Sequence, residues 1–209
     1  MSTLTERLER GVVAENPAAV QLLGLCPLLA VSHSLVNALG LAAATLFVLA
    51  GSNAFIALAR PLVPDVARLP AFMLVIAGFT TVAVRAMEAF AFDLYVAVAL
   101  FVQIIATNCV ILSRAERAAS RASVRDAIAD GLSMGLGFGV ALVALGAARE
   151  IVGHGTLGAG MERLFGDAAR DLHLVVADGG MLVAILPPGA FVLAGLLLAL
   201  VNSLRTEKR

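Results

Sequence analysis

Two cysteines, Cys26 and Cys109, are the residues of this chain whose chemistry is easiest to name. Two thiols cannot build a disulfide framework. Each sits towards the end of an apolar segment, beside residues that disturb a regular helix. Pro27 follows Cys26 and withdraws an amide donor. Thr107-Asn108 places polar groups just before Cys109. Most free cysteines are buried small hydrophobes. The matching placement and the backbone irregularity favour metal ligation, because irregular backbone at membrane depth must be surrounded by protein or line a cavity. Thiolates suit zinc and iron–sulfur clusters. A [2Fe–2S] cluster usually takes four thiolates, so two would have to come from a second subunit. Two cysteines alone do not choose between these readings.

The elements that position them are membrane spans. Of 209 residues, 60% are hydrophobic and 14% charged, with no formal net charge; the mean hydropathy is +0.96. Soluble domains carry about 25% charged residues. This composition excludes a soluble enzyme, a nucleic-acid binder and a disordered chain. It predicts an all-α polytopic membrane protein, in contact with lipid and not with nucleic acid. Apolar stretches with few charges predict six spans, at about 18–31, 35–59, 70–92, 94–112, 130–148 and 181–203. Eleven of the 15 Lys and Arg then fall on one side with the N-terminus. That places both termini in the cytoplasm and the 149–178 loop outside. The whole chain reads as one membrane domain with a charged tail over 1–15 and a short tail over 204–209.

Six spans divide into two inverted three-helix repeats, about 16–93 and 94–204. The first segment of each half is short or interrupted, a pattern that points to a site near the bilayer midplane. Cys26 and Cys109 would approach one another there from opposite faces. Gly131, Gly135 and Gly139 lie four apart and predict a close helix contact. Arg85 and Glu88 can pair on one helix face near the outer interface. Gln21, Asn37, Asn53 and Gln103 are expected to bond across helices. Asn108 is set apart, because hydrogen bonds to cluster sulfurs tune potential. His33, His154 and His173 read as solvated loop residues. Pro187-Pro188 is expected to kink or interrupt the last span. The arginines from Arg114 to Arg125 read as an orientation signal.

The residues around the cysteines are similar to those of a known family. The segments are Asn16-Pro17, Val20-Gln21-Leu22-Leu23-Gly24-Leu25-Cys26-Pro27-Leu28-Leu29-Ala30-Val31 and Thr107-Asn108-Cys109 with Arg114-Ala115-Glu116. Later come Asp130-Gly131, Arg149-Glu150-Ile151, Gly153-His154-Gly155-Thr156-Leu157 and Leu186-Pro187-Pro188-Gly189-Ala190-Phe191. Together they resemble, in order along nearly the whole chain, the E subunits of Rnf electron-transport complexes. The D subunits of the sodium-translocating NADH:quinone reductase, Nqr, are close relatives. Pro27 and the Leu-Pro-Pro-Gly-Ala-Phe run look more like the Rnf member. Arg117-Ala118-Ala119 and Ser32-His33-Ser34 depart from the family pattern without touching a cysteine.

The resemblance implies a subunit of an ion-translocating ferredoxin:NAD oxidoreductase in the bacterial cytoplasmic (inner) membrane. It implies a [2Fe–2S] cluster shared with the homologous A subunit, two cysteines from each. Here the ligands would be Cys26 and Cys109, with Pro27 and Asn108 beside them. The B, C, D and G subunits would be further partners, and Na+ or H+ the coupled ion. No Ser/Thr-Gly-Ala-Thr sequence is present for covalent FMN, and no Gly-rich fingerprint for NAD. The chain would be a relay subunit that is not catalytic alone. The alternatives are the Nqr D subunit, an inverted-repeat secondary transporter and a purely structural assembly subunit.

Overall fold

A computed structural model describes residues 11–12, 15–119, 122–158, 174–175, 184 and 186–206. Three helices are long and apolar enough to cross a membrane: α2 (Leu35–Ala59), α3 (Arg68–Phe90) and α6 (Val124–His154). A fourth candidate is bent. Its parts, Phe92–Ala99 and Phe101–Arg117, are turned 65° from one another. Within it lie α4 (Phe92–Ile104), a 3-10 turn at Ile105–Thr107 and α5 (Cys109–Arg114). Before these comes the short α1 (Leu25–Val31), and after them α7 (Pro187–Thr206). A two-residue ladder pairs β1 (Thr156–Leu157) with β2 (Leu174–Val175) in antiparallel register.

The described residues thus show three full-length spans, one bent candidate and shorter apolar helices, where the sequence predicts six spans. The segment expected as a span at 18–31 is a turn over 17–21 followed by the seven residues of α1. Asn16 organises that turn. Its Oδ1 accepts from the amides of Ala18 (3.0 Å) and Ala19 (2.9 Å), and its Nδ2 donates to the Gly137 carbonyl at 2.9 Å. A side chain that mimics backbone hydrogen bonding locally competes with helix. The predicted break near Cys109 is present, as the 3-10 turn and the cap that follow α4.

The scaffold is the antiparallel pair α2 and α6. Successive glycines of α6 meet successive turns of α2. A Cβ on Gly131 would stand 3.1 Å from Ala50 Cα, one on Gly135 2.6 Å from Leu46 Cδ1, one on Gly139 3.3 Å from Ala42 Cβ and one on Gly146 2.9 Å from Ala38 Cβ. In a bilayer lipid tails are as apolar as leucine, so such close approach supplies the packing energy. The expected glycine contact is therefore found, and it extends to Gly146. Leu41, Leu49, Phe138 and Leu142 are fully buried within this pair.

The remaining long helix, α3, buries only one stripe, Phe72, Ile76, Thr80 and Ala83. Its Phe79 ring lies edge-on to Phe47 and Phe55 of α2, with centroids 6.5 and 6.2 Å away, and is seated over Gly51. Leu69, Leu74, Val82 and Phe90 point outward, as a lipid-facing surface allows. Arg85 and Glu88 form the expected pair at 2.8 Å on the exposed side.

Several boundaries differ from the sequence reading. Helix α6 does not stop at 148 but continues through Arg149 and Glu150 to a Gly155 cap at φ 68°. Pro187 and Pro188 open α7 after a bend at Leu186, which fits the expected interruption of the last span; 181–183 and 185 lie outside the described residues. Proline is well suited to a first helical turn, where its missing N–H has no helical partner to lose. Most of the expected outside loop, and His173 with it, lies outside the described residues.

Candidate functional site

Both cysteines occupy the first turn of a short helix. Cys109 is the first residue of α5 and Cys26 the second of α1. The folding reasons differ at the two places. At α5, Asn108 is the N-cap: its backbone is extended and its Oδ1 accepts from the Val110 amide at 3.0 Å. At α1 the preceding residue is Gly24, in the left-handed region at φ 72°. Pro27 lies buried in the first turn of α1, where no helical hydrogen bond needs its missing amide.

These two helix starts touch. The Gly24 amide donates to Cys109 Sγ at 2.9 Å. Gly24 is also where three side chains converge. A Cβ there would lie 2.7 Å from Phe138 Cε2, 2.8 Å from Val110 Cγ2 and 3.3 Å from Asn108 Oδ1. Gly24, two residues before Cys26, thus rests directly on the residues flanking Cys109. The structure brings together the two segments that sequence analysis singled out. Both thiols are free and exposed.

Asn108 is buried, 3% exposed, and its Nδ2 has no hydrogen-bond partner. A buried amide donor without an acceptor costs about 1–3 kcal/mol, so this N–H group is available to an acceptor beside Cys109.

On the other side of α1 a groove of about 630 Å3 is lined by Cys26, Leu29, His33, Arg149, Pro187 and Phe191. His33 is not a solvated loop residue. It is half-buried in the turn between α1 and α2, and its Nε2 is 3.0 Å from Asn37 Nδ2. Desolvation by burial lowers its pKa below the usual histidine value, opposed by a bond to the Ala30 carbonyl and reinforced by Arg149 and His154. His154 is exposed at the end of α6.

The interhelical bonds expected of Gln21 and Asn37 take a local form instead. Gln21 donates to the Glu15 carbonyl at 2.9 Å, and Asn37 pairs with His33 one turn away. Asn53 is fully buried against Gly131 with neither amide atom bonded. Gln103 is exposed. Arg114 is more than an orientation signal: its guanidinium is 3.6 Å from Glu15, 3.7 Å from Asp130 and 2.8 Å from Met134 Sδ.

Among the described residues no group of three or more His, Cys, Asp or Glu is arranged to hold a metal. Two exposed thiols on adjoining helix starts, with a backbone amide already directed at one sulfur, offer the donors for half of a thiolate site. Sequence reasoning missed Gly24, Arg149 and Glu150 as parts of this arrangement. The glycine two residues before a cysteine at a helix start was a readable signal for a left-handed cap.

Residues 4–198 match the family described as "Rnf-Nqr subunit, membrane protein". The chain belongs to the Rnf-Nqr family. It is 47% identical over 209 residues to the E subunit of the ion-translocating oxidoreductase complex of Vibrio vulnificus, an alignment covering 99% of this chain and 91% of that one. It is 51% identical over 197 residues to the protein of the same name from Pseudoalteromonas atlantica, covering 93% and 85%. For the Haemophilus ducreyi protein the figures are 50% over 194 residues, 92% and 86%. Rnf-Nqr membership accounts for the apolar helices and makes this a membrane protein.

Proposed function

We propose that this chain is the E-type subunit of an ion-translocating ferredoxin:NAD oxidoreductase, and that Cys26 and Cys109 supply two of four thiolates to a [2Fe–2S] cluster shared with the homologous A subunit. The observation that carries the reading is the Gly24 amide on Cys109 Sγ, which brings the two cysteine segments into contact. Both thiols are exposed, as ligands completed by a second subunit must be. A bound cluster supplies one-electron transfer; everything else falls to the residues of the chain.

Cys26 and Cys109 bind. The Gly24 N–H donates to the Cys109 sulfur and fixes where it stands. Asn108 holds α5 through its Oδ1, and its unpartnered Nδ2 is a second donor for sulfur. Phe138 and Val110 close the space behind Gly24 and keep water from it. The B, C, D and G subunits complete the assembly in the bacterial inner membrane. Both termini face the cytoplasm, the two halves relate as inverted repeats, and Na+ or H+ moves with the electrons.

The test is iron content and EPR of the reduced, purified complex for wild type, Cys26→Ser and Cys109→Ser. Each variant is expected to assemble, lose one [2Fe–2S] signal and stop electron transfer. Retention of every cluster signal with full activity in both variants would make the cysteines packing residues and refute the proposal.

A further inference from the structure

Two consecutive charged residues of α6, Arg149 and Glu150, are 2% and 1% exposed. They close the two ends of the turn that follows the Cys26 helix. Arg149 Nη1 donates to the Leu29 carbonyl at 2.9 Å and to Ser32 Oγ at 3.0 Å, and its Nε donates to the Ala184 carbonyl at 3.1 Å. Leu29 is in the last turn of α1, where carbonyls lack helical partners. Glu150 Oε2 accepts from the Leu35 amide at 2.7 Å, the first of the amides that α2 leaves free. A neutral turn would satisfy these groups without the desolvation cost of burying a guanidinium.

The opposite end of α6 also holds the Cys109 helix, there through a side chain of that helix itself. Arg114, the last residue of α5, is drawn to Asp130 and Met134 of α6. One helix therefore holds both cysteine helices by their C-terminal ends. From Asp130 to Arg149 it spans about 28 Å at 1.5 Å per residue, close to the hydrocarbon thickness of a bilayer of about 30 Å. Cys26 and Leu29 lie within one turn of the same seven-residue helix, so a shift at the Arg149 end of α1 is a shift at Cys26.

We infer that Arg149, seconded by Glu150, is a positioning residue for the sulfur site: it sets where the Cys26 helix stands relative to Cys109 and keeps a positive charge on the wall of the groove that Cys26 lines. The inference rests on the cluster reading above. A cation close to the site favours the state carrying the extra electron, so its removal moves the reduction potential to more negative values.

The experiment uses the whole purified complex with Arg149→Lys, Arg149→Gln and Ser32→Ala. Hydrogen exchange is read at 25–31 against 35–59, and the [2Fe–2S] EPR signal is titrated with potential. Arg149→Gln is expected to raise exchange at 25–31 selectively and to shift the potential negative. Arg149→Lys, which keeps charge but not the fork, raises exchange with a smaller shift. Wild-type exchange in Arg149→Gln, or faster exchange with an unaltered signal and potential, overturns the inference. Should Arg149→Gln fail to assemble, Ser32→Ala decides. It removes one acceptor without changing charge, and must raise exchange at 25–31 and alter the EPR line shape; wild-type values for both overturn the inference. If Cys26→Ser retains all cluster signals, the cluster reading fails separately, while the exchange data still report whether Arg149 holds α1.

Discussion

Replacing Gly24 by alanine tests the junction between the cysteine helices most directly. The added methyl meets two obstacles. The backbone is left-handed at φ 72°, which costs an L-residue about 1–2 kcal/mol. The Cβ would also stand 2.7 Å from the Phe138 ring and 2.8 Å from a Val110 methyl, and overpacking of this kind costs about 1–3 kcal/mol. Gly24→Ala is therefore expected to destabilise by about 2–5 kcal/mol. A double-mutant cycle separates the two parts. Phe138→Leu withdraws the ring edge, so G24A with F138L should cost less than the sum of the single changes, by the ring's part of the steric share. The backbone share remains. The assay is thermal unfolding in detergent, with the rate of alkylation at Cys109 as a local report on the lost Gly24 contact. A Gly24→Ala protein as stable as wild type refutes the reasoning. So does a cycle with no coupling, which would mean that the ring does not occupy the space beside Gly24.

Two glycines on different faces of α6 give a graded pair. Gly137→Ala drives a methyl into the Gly11 carbonyl oxygen and should be more disruptive than Gly135→Ala, whose nearest neighbour is the movable end of Leu46; unfolding midpoints rank them. Arg114→Gln removes the charge shared by Glu15 and Asp130, and is expected to loosen α5 and increase exchange at 109–114. Arg85→Ala, with a pair that is 75% and 38% exposed, should change stability by no more than about 0.5 kcal/mol. His33 has a lowered pKa because burial desolvates the ring, so the unfolded state binds the proton more readily. Stability from this residue is complete above about pH 6.5, the unfolded value, and falls as pH drops below it. His33→Gln should flatten that dependence in a pH series of unfolding midpoints.

Composition and charge-free stretches made the long helices legible, because a 25-residue apolar run such as Leu35–Ala59 has few other solutions in a bilayer. The glycine spacing of α6 was legible for the same reason. The segment before Cys26 was harder. Asn16 replaces helical hydrogen bonds with its own side chain, and hydropathy carries no record of that. Arg149 and Glu150 were read as the start of a loop because charge usually marks a membrane boundary. Their partners, Leu29, Ser32 and Leu35, are distant in sequence, and only the fold shows that a charged pair can lie inside by capping two other helices. Residue type singles out the cysteines; the contact of Gly24 with Cys109 depends on packing against Phe138, which no local pattern encodes.

The close contact of α2 with α6 also sets how this chain can drift in sequence. Along that seam each position accepts a narrow range of sizes, because Ala38, Ala42 and Ala50 face glycines and leave no spare volume between the helices. On α7, by contrast, Phe191, Val192, Leu196 and Leu200 are all at least 60% exposed and need only remain apolar. A saturation scan would therefore divide the chain by side-chain volume on one surface and by polarity alone on the other. Compensating pairs of changes should concentrate on the seam, one residue shrinking as its counterpart grows.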